Sequence, residues 1–159
     1  MKRETYVSML SKIRKSPVLY GYVVWSDRIL TKISYIIYPL FLLYLMVTKK
    51  PELGKAILVP AVSFVVLSIF RYLYDAPRPY EVFDTPSLIR KDTRGKSFPS
   101  RHVFSAFVIA VTVFYTCHPL GICSLLLAVS RVLGGVHFTK DVLAGAVSGI
   151  LCGMLLFIL

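Results

Sequence analysis

The chain predicts an all-α integral membrane bundle: about five transmembrane helices, preceded by an amphipathic helix lying at the membrane interface. Three observations carry that expectation. Hydrophobic residues make up 56% of the 159 positions, and the mean hydropathy is +0.69, well above ordinary soluble usage. The apolar residues gather into runs close to the ~20 residues that cross a bilayer as a helix. Between those runs stand short polar islands rather than long hydrophilic stretches. A chain of this length has room for one domain.

Residues 1–28 hold six basic and two acidic residues. Tyr6, Met9, Leu10 and Ile13 recur at helical spacing among the charges, which predicts a basic amphipathic helix on the membrane surface. No cleavable leader is expected, because Lys12, Arg14 and Lys15 break the apolar run that should follow the basic start. The stretch 17–25 is apolar but too short to span.

Span one is expected over about Ile29–Val47, and span two over about Ala56–Tyr74 after a basic turn from Lys49 to Lys55. Residues 75–100 form the one long polar connection, with four acidic residues and several prolines; loops of that length are often functional. Span three runs from about Ser100 to Cys117 and span four from about Leu120 to Val136, with a tight turn at His118-Pro119 between them. Span five covers about Phe138–Leu159. It carries Gly145, Gly149 and Gly153 four residues apart, a spacing that lets helices pack closely in lipid.

The net charge of +11 sits in membrane-flanking segments, which excludes a nucleic-acid face. It favours anionic lipid headgroups or an anionic substrate as partners. Cys117, Cys123 and Cys152 show neither metal spacing nor a disulfide framework and read as small buried hydrophobes.

Three polar islands remain. The first runs from Arg71 to Arg78-Pro79, the second is Pro99-Ser100-Arg101-His102, and the third is Ser130-Arg131 followed by His137 and Asp141. Ionisable groups near lipid are costly and mark function. The islands close span two, open span three and link span four to span five, so span parity puts all three on one membrane face.

Arg71, Arg78 and Arg131 offer planar N–H forks suited to phosphate oxygens. Ser100 falls near a helix N-cap, where free backbone N–H groups make an anion site, and His102 sits in the first turn. His137 and Asp141 are four apart and share a helix face. A carboxylate beside one imidazole nitrogen leaves the other as a directed nucleophile or base. Further His or Cys at ligand spacing are lacking, so no metal is expected. His118, on the opposite face, reads as a turn residue. Ser100 and Ser130 lack a glycine-flanked elbow and are weaker nucleophile candidates.

The islands resemble the three-part signature of the type 2 phosphatidic acid phosphatase superfamily, which also holds bacterial acid phosphatases and vanadium haloperoxidases. The family pattern is KxxxxxxRP, PSGH and SRxxxxxHxxxD; here stand RYLYDAPRP, PSRH and SRVLGGVHFTKD, over residues 71–141. The resemblance implies a lipid phosphate phosphatase domain over 29–159, with 75–100 as its active-site loop. It implies His137 as the nucleophile, through a phosphohistidine intermediate, and Asp141 as its orienting partner. His102 would protonate the leaving group and then activate water. Arg71, Arg78, Ser100, Arg101 and Arg131 would hold the phosphoryl oxygens, with no metal or other cofactor, since positioned cations can stabilise the transition-state charge.

The substrate class implied is a polyprenyl pyrophosphate, phosphatidic acid or phosphatidylglycerol phosphate. Two positions depart from the pattern: Arg71 replaces a lysine, and Arg101 replaces a glycine while adding a cation able to grip a second phosphate. The family places its site outside the cytoplasm, whereas the basic N-terminal tail favours the cytoplasm for that same face; the expectation follows the resemblance. A non-catalytic lipid-phosphate binding or transport protein and a haloperoxidase are the alternatives on this bundle. The residues say nothing of oligomeric state.

Overall fold

In a computed structural model the chain is all-helical, and the structure describes residues 2–89, 91, 93–113 and 119–158, without the side chains of 119–121. The expected turn residue His118 and Cys117 lie outside the described residues. The elements are α1 (Arg3–Lys15), α2 (Pro17–Val47), α3 (Leu53–Tyr74), the short α4 (Pro79–Val82), α5 (Arg101–Thr112), α6 (Pro119–Leu133) and α7 (Thr139–Ile158).

Among the described residues three helical stretches are long and apolar enough to cross a membrane: Pro17–Val47, Leu53–Val82 and Thr139–Ile158. The helices Arg101–Thr112 and Ile122–Leu133 are apolar but shorter. Their outward faces are greasy: Leu58, Val62, Val65, Val66 and Ile69 of α3 and Leu143, Val147 and Leu151 of α7 are all exposed. A row of such residues on a soluble surface would be an association patch; here it is the face that lipid covers.

α2 begins a dozen residues before the expected start of span one. Ser16 caps it by accepting from the Leu19 N–H at 3.4 Å, and Pro17 occupies the first turn, where its missing N–H costs nothing. The helix then runs on through Asp27, so the 17–25 stretch is its first part. α6 ends at Leu133 because Gly135 takes φ +72°, a left-handed conformation that side chains with a Cβ disfavour.

The glycine ladder of α7 faces α5 within the same chain. A Cβ at Gly145, Gly149 or Gly153 would stand 2.7 Å from the Ser100 carbonyl oxygen, the Phe104 carbonyl oxygen or Val111 Cβ respectively. The two helices therefore pack backbone to backbone, and the Ser100 N–H donates to the Asp141 carbonyl at 2.8 Å. This close approach brings the start of α5 against the start of α7.

The apolar stripe of α1 is buried in protein. Tyr6, Leu10 and Ile13 join Val23 and Leu88 in one cluster, and the Tyr6 hydroxyl donates to the Gly135 carbonyl at 3.0 Å. Arg14 donates to the Pro86 carbonyl at 2.8 Å, and the Leu88 N–H to the Gly134 carbonyl at 2.9 Å. Helix α1, the 75–100 loop and the Gly134–Gly135 turn thus brace one another just before His137.

Candidate active site

The three islands meet at one end of the bundle. Arg71, Arg78, Ser100, Arg131, His137 and Asp141 are all buried, an arrangement affordable only where charges face one another. Ser97 links the second and third islands. Its hydroxyl donates to Asp141 Oδ2 at 2.5 Å and lies 3.3 Å from His137 Nδ1.

His137 Nδ1 is 3.7 Å from Asp141 Oδ2, beyond direct hydrogen-bond reach. The serine hydroxyl therefore bridges the two, and because its one proton goes to the carboxylate it must accept from Nδ1–H. That assignment leaves Nε2 of the imidazole with its lone pair free. Asp141 Oδ2 also accepts from the Phe138 N–H at 3.1 Å, which fixes the carboxylate at the start of α7. Burial pushes the His137 pKa down to about 4; Asp141 pulls it upward, while Arg78 and Arg131 push it further down. The imidazole is neutral at physiological pH.

Arg71, the lysine replacement, spends its fork on main chain. Its Nη1 donates to the carbonyls of Ser97, at 3.2 Å, and Pro99, and its Nη2 to that of Lys96. Arg71 thereby pins the strand of loop that carries Ser97 and leads into Ser100. Arg78 Nε donates to the Gly95 carbonyl at 2.9 Å. The Glu81 carboxylate accepts from the N–H groups of Arg78 at 2.8 Å and of Gly95 at 2.9 Å, closing the other side of that loop.

Ser100 occupies the N-cap of α5, yet its side chain makes no capping bond. Its Oγ is buried without a hydrogen-bond partner among the described residues, and so is Arg131 Nη1. Buried donors are normally satisfied. Two orphans beside a free helix N-terminus and a directed imidazole make a cradle for an anion. Asp141 Oδ1, an acceptor, is also without a hydrogen-bond partner among the described residues.

Arg101 is an ordinary first residue of α5 and is not among the residues with positive φ, so a helical backbone there needs no glycine. Its guanidinium is exposed and lies over the Phe64 ring at 5.5 Å. With His102 it lines a cavity of about 150 Å³. Ser34, Tyr35, Phe64, Ser105 and Ile109 also line the adjoining apolar groove of about 360 Å³ between α2, α3 and α5.

The sequence pattern did not single out Ser97. Nothing in its spacing separates it from other loop serines; only its position three residues before Ser100 hints at a role. Ser97→Ala is expected to lower kcat about 10- to 100-fold, the range set by leaving a buried carboxylate short of a donor. Ser97→Thr, which keeps the hydroxyl, should recover most of it. Steady-state kinetics on the three proteins checks this.

Among the described residues no cluster of three or more His, Cys, Asp or Glu is placed to hold a metal ion. A buried imidazole beside unpartnered anion donors, on a helical bundle with greasy flanks, is an arrangement suited to phosphoryl chemistry at a membrane. The chain belongs to the PAP2 superfamily, whose family model matches residues 52–159. It is similar to "Undecaprenyl-diphosphatase BcrC" of Bacillus subtilis, 29% identical over 80% of this chain and 70% of that one. It is also similar to "Bacitracin transport permease protein BcrC" of Bacillus licheniformis, 28% identical over 64% of this chain and 52% of the other.

Among solved structures, Aquifex aeolicus LpxE shares the fold at TM-score 0.76 and 24% identity, covering 98% of this chain and 94% of that one. The PAP2-type phosphatidylglycerolphosphate phosphatase of Bacillus subtilis does so at TM-score 0.59 and 22% identity, covering 96% and 90%.

Proposed function

We propose that the protein hydrolyses the phosphate monoester or pyrophosphate of a membrane lipid through a phosphohistidine intermediate, without a metal. The observation that carries this reading is the pair of buried donors, Ser100 Oγ and Arg131 Nη1, left without partners beside an imidazole held by Ser97 and Asp141. His137 Nε2 attacks phosphorus, and the bond from phosphorus to the leaving oxygen breaks. His102 gives that oxygen a proton. A water then attacks the phosphohistidine while His102 takes its proton, the P–N bond breaks, and inorganic phosphate leaves. Both steps develop charge on phosphoryl oxygens, which Arg78, Arg131, Ser100 and the first N–H groups of α5 stabilise in place. Arg71 acts through the loop it pins, and Arg101 holds a second phosphate where the lipid carries one.

The apolar groove supports a lipid substrate, since it adjoins the small cavity lined by Arg101 and His102 and runs on past Tyr38, Pro60, Phe104 and Val108, where a hydrocarbon tail replaces membrane contacts. The name of the Bacillus subtilis relative favours a polyprenyl diphosphate. The test is phosphate release by detergent-purified protein, with chelator present, across lipid mono- and diphosphates. Turnover with a preference for the polyprenyl diphosphate is expected; binding of the panel without turnover would contradict the reading.

The low pKa of His137 gives this reading a pH signature. The nucleophile must be neutral, and a pKa lowered to about 4 keeps it neutral as pH falls well past the ordinary histidine value of about 6.5. The acid limb of kcat/KM is therefore expected near pH 4, with activity lost below it. A limb at about 6.5 in the rate profile would show an ordinary, solvated histidine instead.

We further propose that α1 alone, rather than the whole of 1–28, is the interfacial segment, since residues 17–28 belong to α2, and that the site opens on the extracytoplasmic face. A single cysteine placed within 80–98 should react with an impermeant maleimide on intact cells; reaction only after permeabilisation would reverse the orientation.

A further inference from the structure

Asp27 lies on α2, outside the signature and outside the 52–159 region that matches the family. It is buried, and its Oδ1 sits 2.7 Å from Nε of Arg131. One turn further on, Thr31 Oγ1 accepts from Arg131 Nη2 at 3.4 Å. One edge of the guanidinium is thus occupied by α2, while Nη1 stays unpartnered among the described residues. The N–H at Nε is not aligned on the carboxylate, for neither atom makes a hydrogen bond in that contact. The contact is therefore Coulombic first.

We infer that Asp27 sets the anion affinity of the phosphate site by offsetting the charge of Arg131, so that inorganic phosphate leaves after turnover. This rests on the phosphatase reading above. Among the described residues the buried charged side chains at this end of the bundle are Arg71, Arg78 and Arg131 against Asp27 and Asp141. Asp141 is committed to Ser97 and the imidazole, so Asp27 is the carboxylate that tempers the cations. Lys91, on the loop, lies in the field of both Arg131 and Asp27 and adds to the positive charge to be offset.

Two effects of removing the carboxylate oppose each other. The guanidinium loses a neighbour that helps hold it, which weakens anion binding. The site also gains one net positive charge beside Arg131, which strengthens it. In Asp27→Asn the amide keeps the shape and an acceptor oxygen, and Thr31 and burial still hold Arg131, so the charge effect wins.

The test is product inhibition of lipid phosphate hydrolysis by inorganic phosphate and by orthovanadate. Asp27→Asn is expected to lower both Ki values about tenfold, the effect of one partly screened charge at this range. KM and kcat should fall together, so that kcat/KM changes less than either. Asp27→Glu should restore Ki toward that of the unaltered protein. A role in folding alone would lower Vmax and leave Ki untouched, because Ki is a property of each active molecule. An unchanged or raised Ki in Asp27→Asn overturns the inference. If the unaltered protein turns over lipid phosphate but neither anion inhibits it, the inference fails with the phosphatase reading intact; if it releases no phosphate at all, the phosphatase reading itself fails.

Discussion

His137→Ala is expected to abolish phosphate release, by at least about 10³-fold in kcat, with lipid binding retained. Losing a covalent nucleophile removes the pathway rather than one interaction, which is why such losses exceed those of supporting residues. The imidazole is buried against Ser97 and Asp141, and the Ser97 hydroxyl beside it is spent on the Asp141 carboxylate. Because the substitution leaves Ser100 and Arg131 in place, orthovanadate should still protect the variant against thermal unfolding. Binding kept and turnover lost is the paired outcome to measure; substantial turnover in the variant would remove His137 from the chemistry.

His102→Ala has the second largest expected effect, about 10²- to 10⁴-fold, the usual contribution of a positioned acid–base group. Its size should depend on the leaving group. A lipid alcohol is a poor leaving group and needs the proton, whereas a nitrophenol does not, so a nitrophenyl phosphate should restore the first step but not the second. The phosphorylated protein would then accumulate, visible as a burst of nitrophenol equal to the enzyme concentration. Equal losses for both substrates, with no burst, would show that His102 supports the site in some other way.

The candidate site was legible where polar and ionisable residues stand out against an apolar chain. Arg71, Arg78, Ser100, Arg101, Arg131, His102, His137 and Asp141 could be named because each breaks a hydrophobic run or flanks one, and span parity put them on one face. What spacing leaves open is which donors are spent and which are free. Arg71 looks like Arg131 in sequence, yet one guanidinium is committed to three carbonyls and the other keeps Nη1 unpartnered. Ser97 was hidden because a loop serine carries no periodicity. Asp27 was hidden by its neighbours: beside Arg28, in a charged N-terminal stretch, it reads as one more surface charge until the α2–α6 contact brings it to Arg131.

The fold divides in the same way. The glycine ladder of α7 predicted close packing but not its partner, and the structure assigns it to α5. Helix ends were displaced where a local cap outweighed the hydropathy boundary, as at Ser16-Pro17 before α2 and Gly135 after α6.

The central claim is that phosphorus passes through His137, and one rapid-quench measurement tests it most directly. The protein would be mixed with lipid carrying a labelled terminal phosphate, stopped within milliseconds in base, and the label mapped. The account predicts a base-stable, acid-labile phosphoryl group on His137, increased in His102→Ala with an activated substrate and absent from His137→Ala. Label found on serine, or full turnover with no protein-bound phosphate at any quench time, would contradict it.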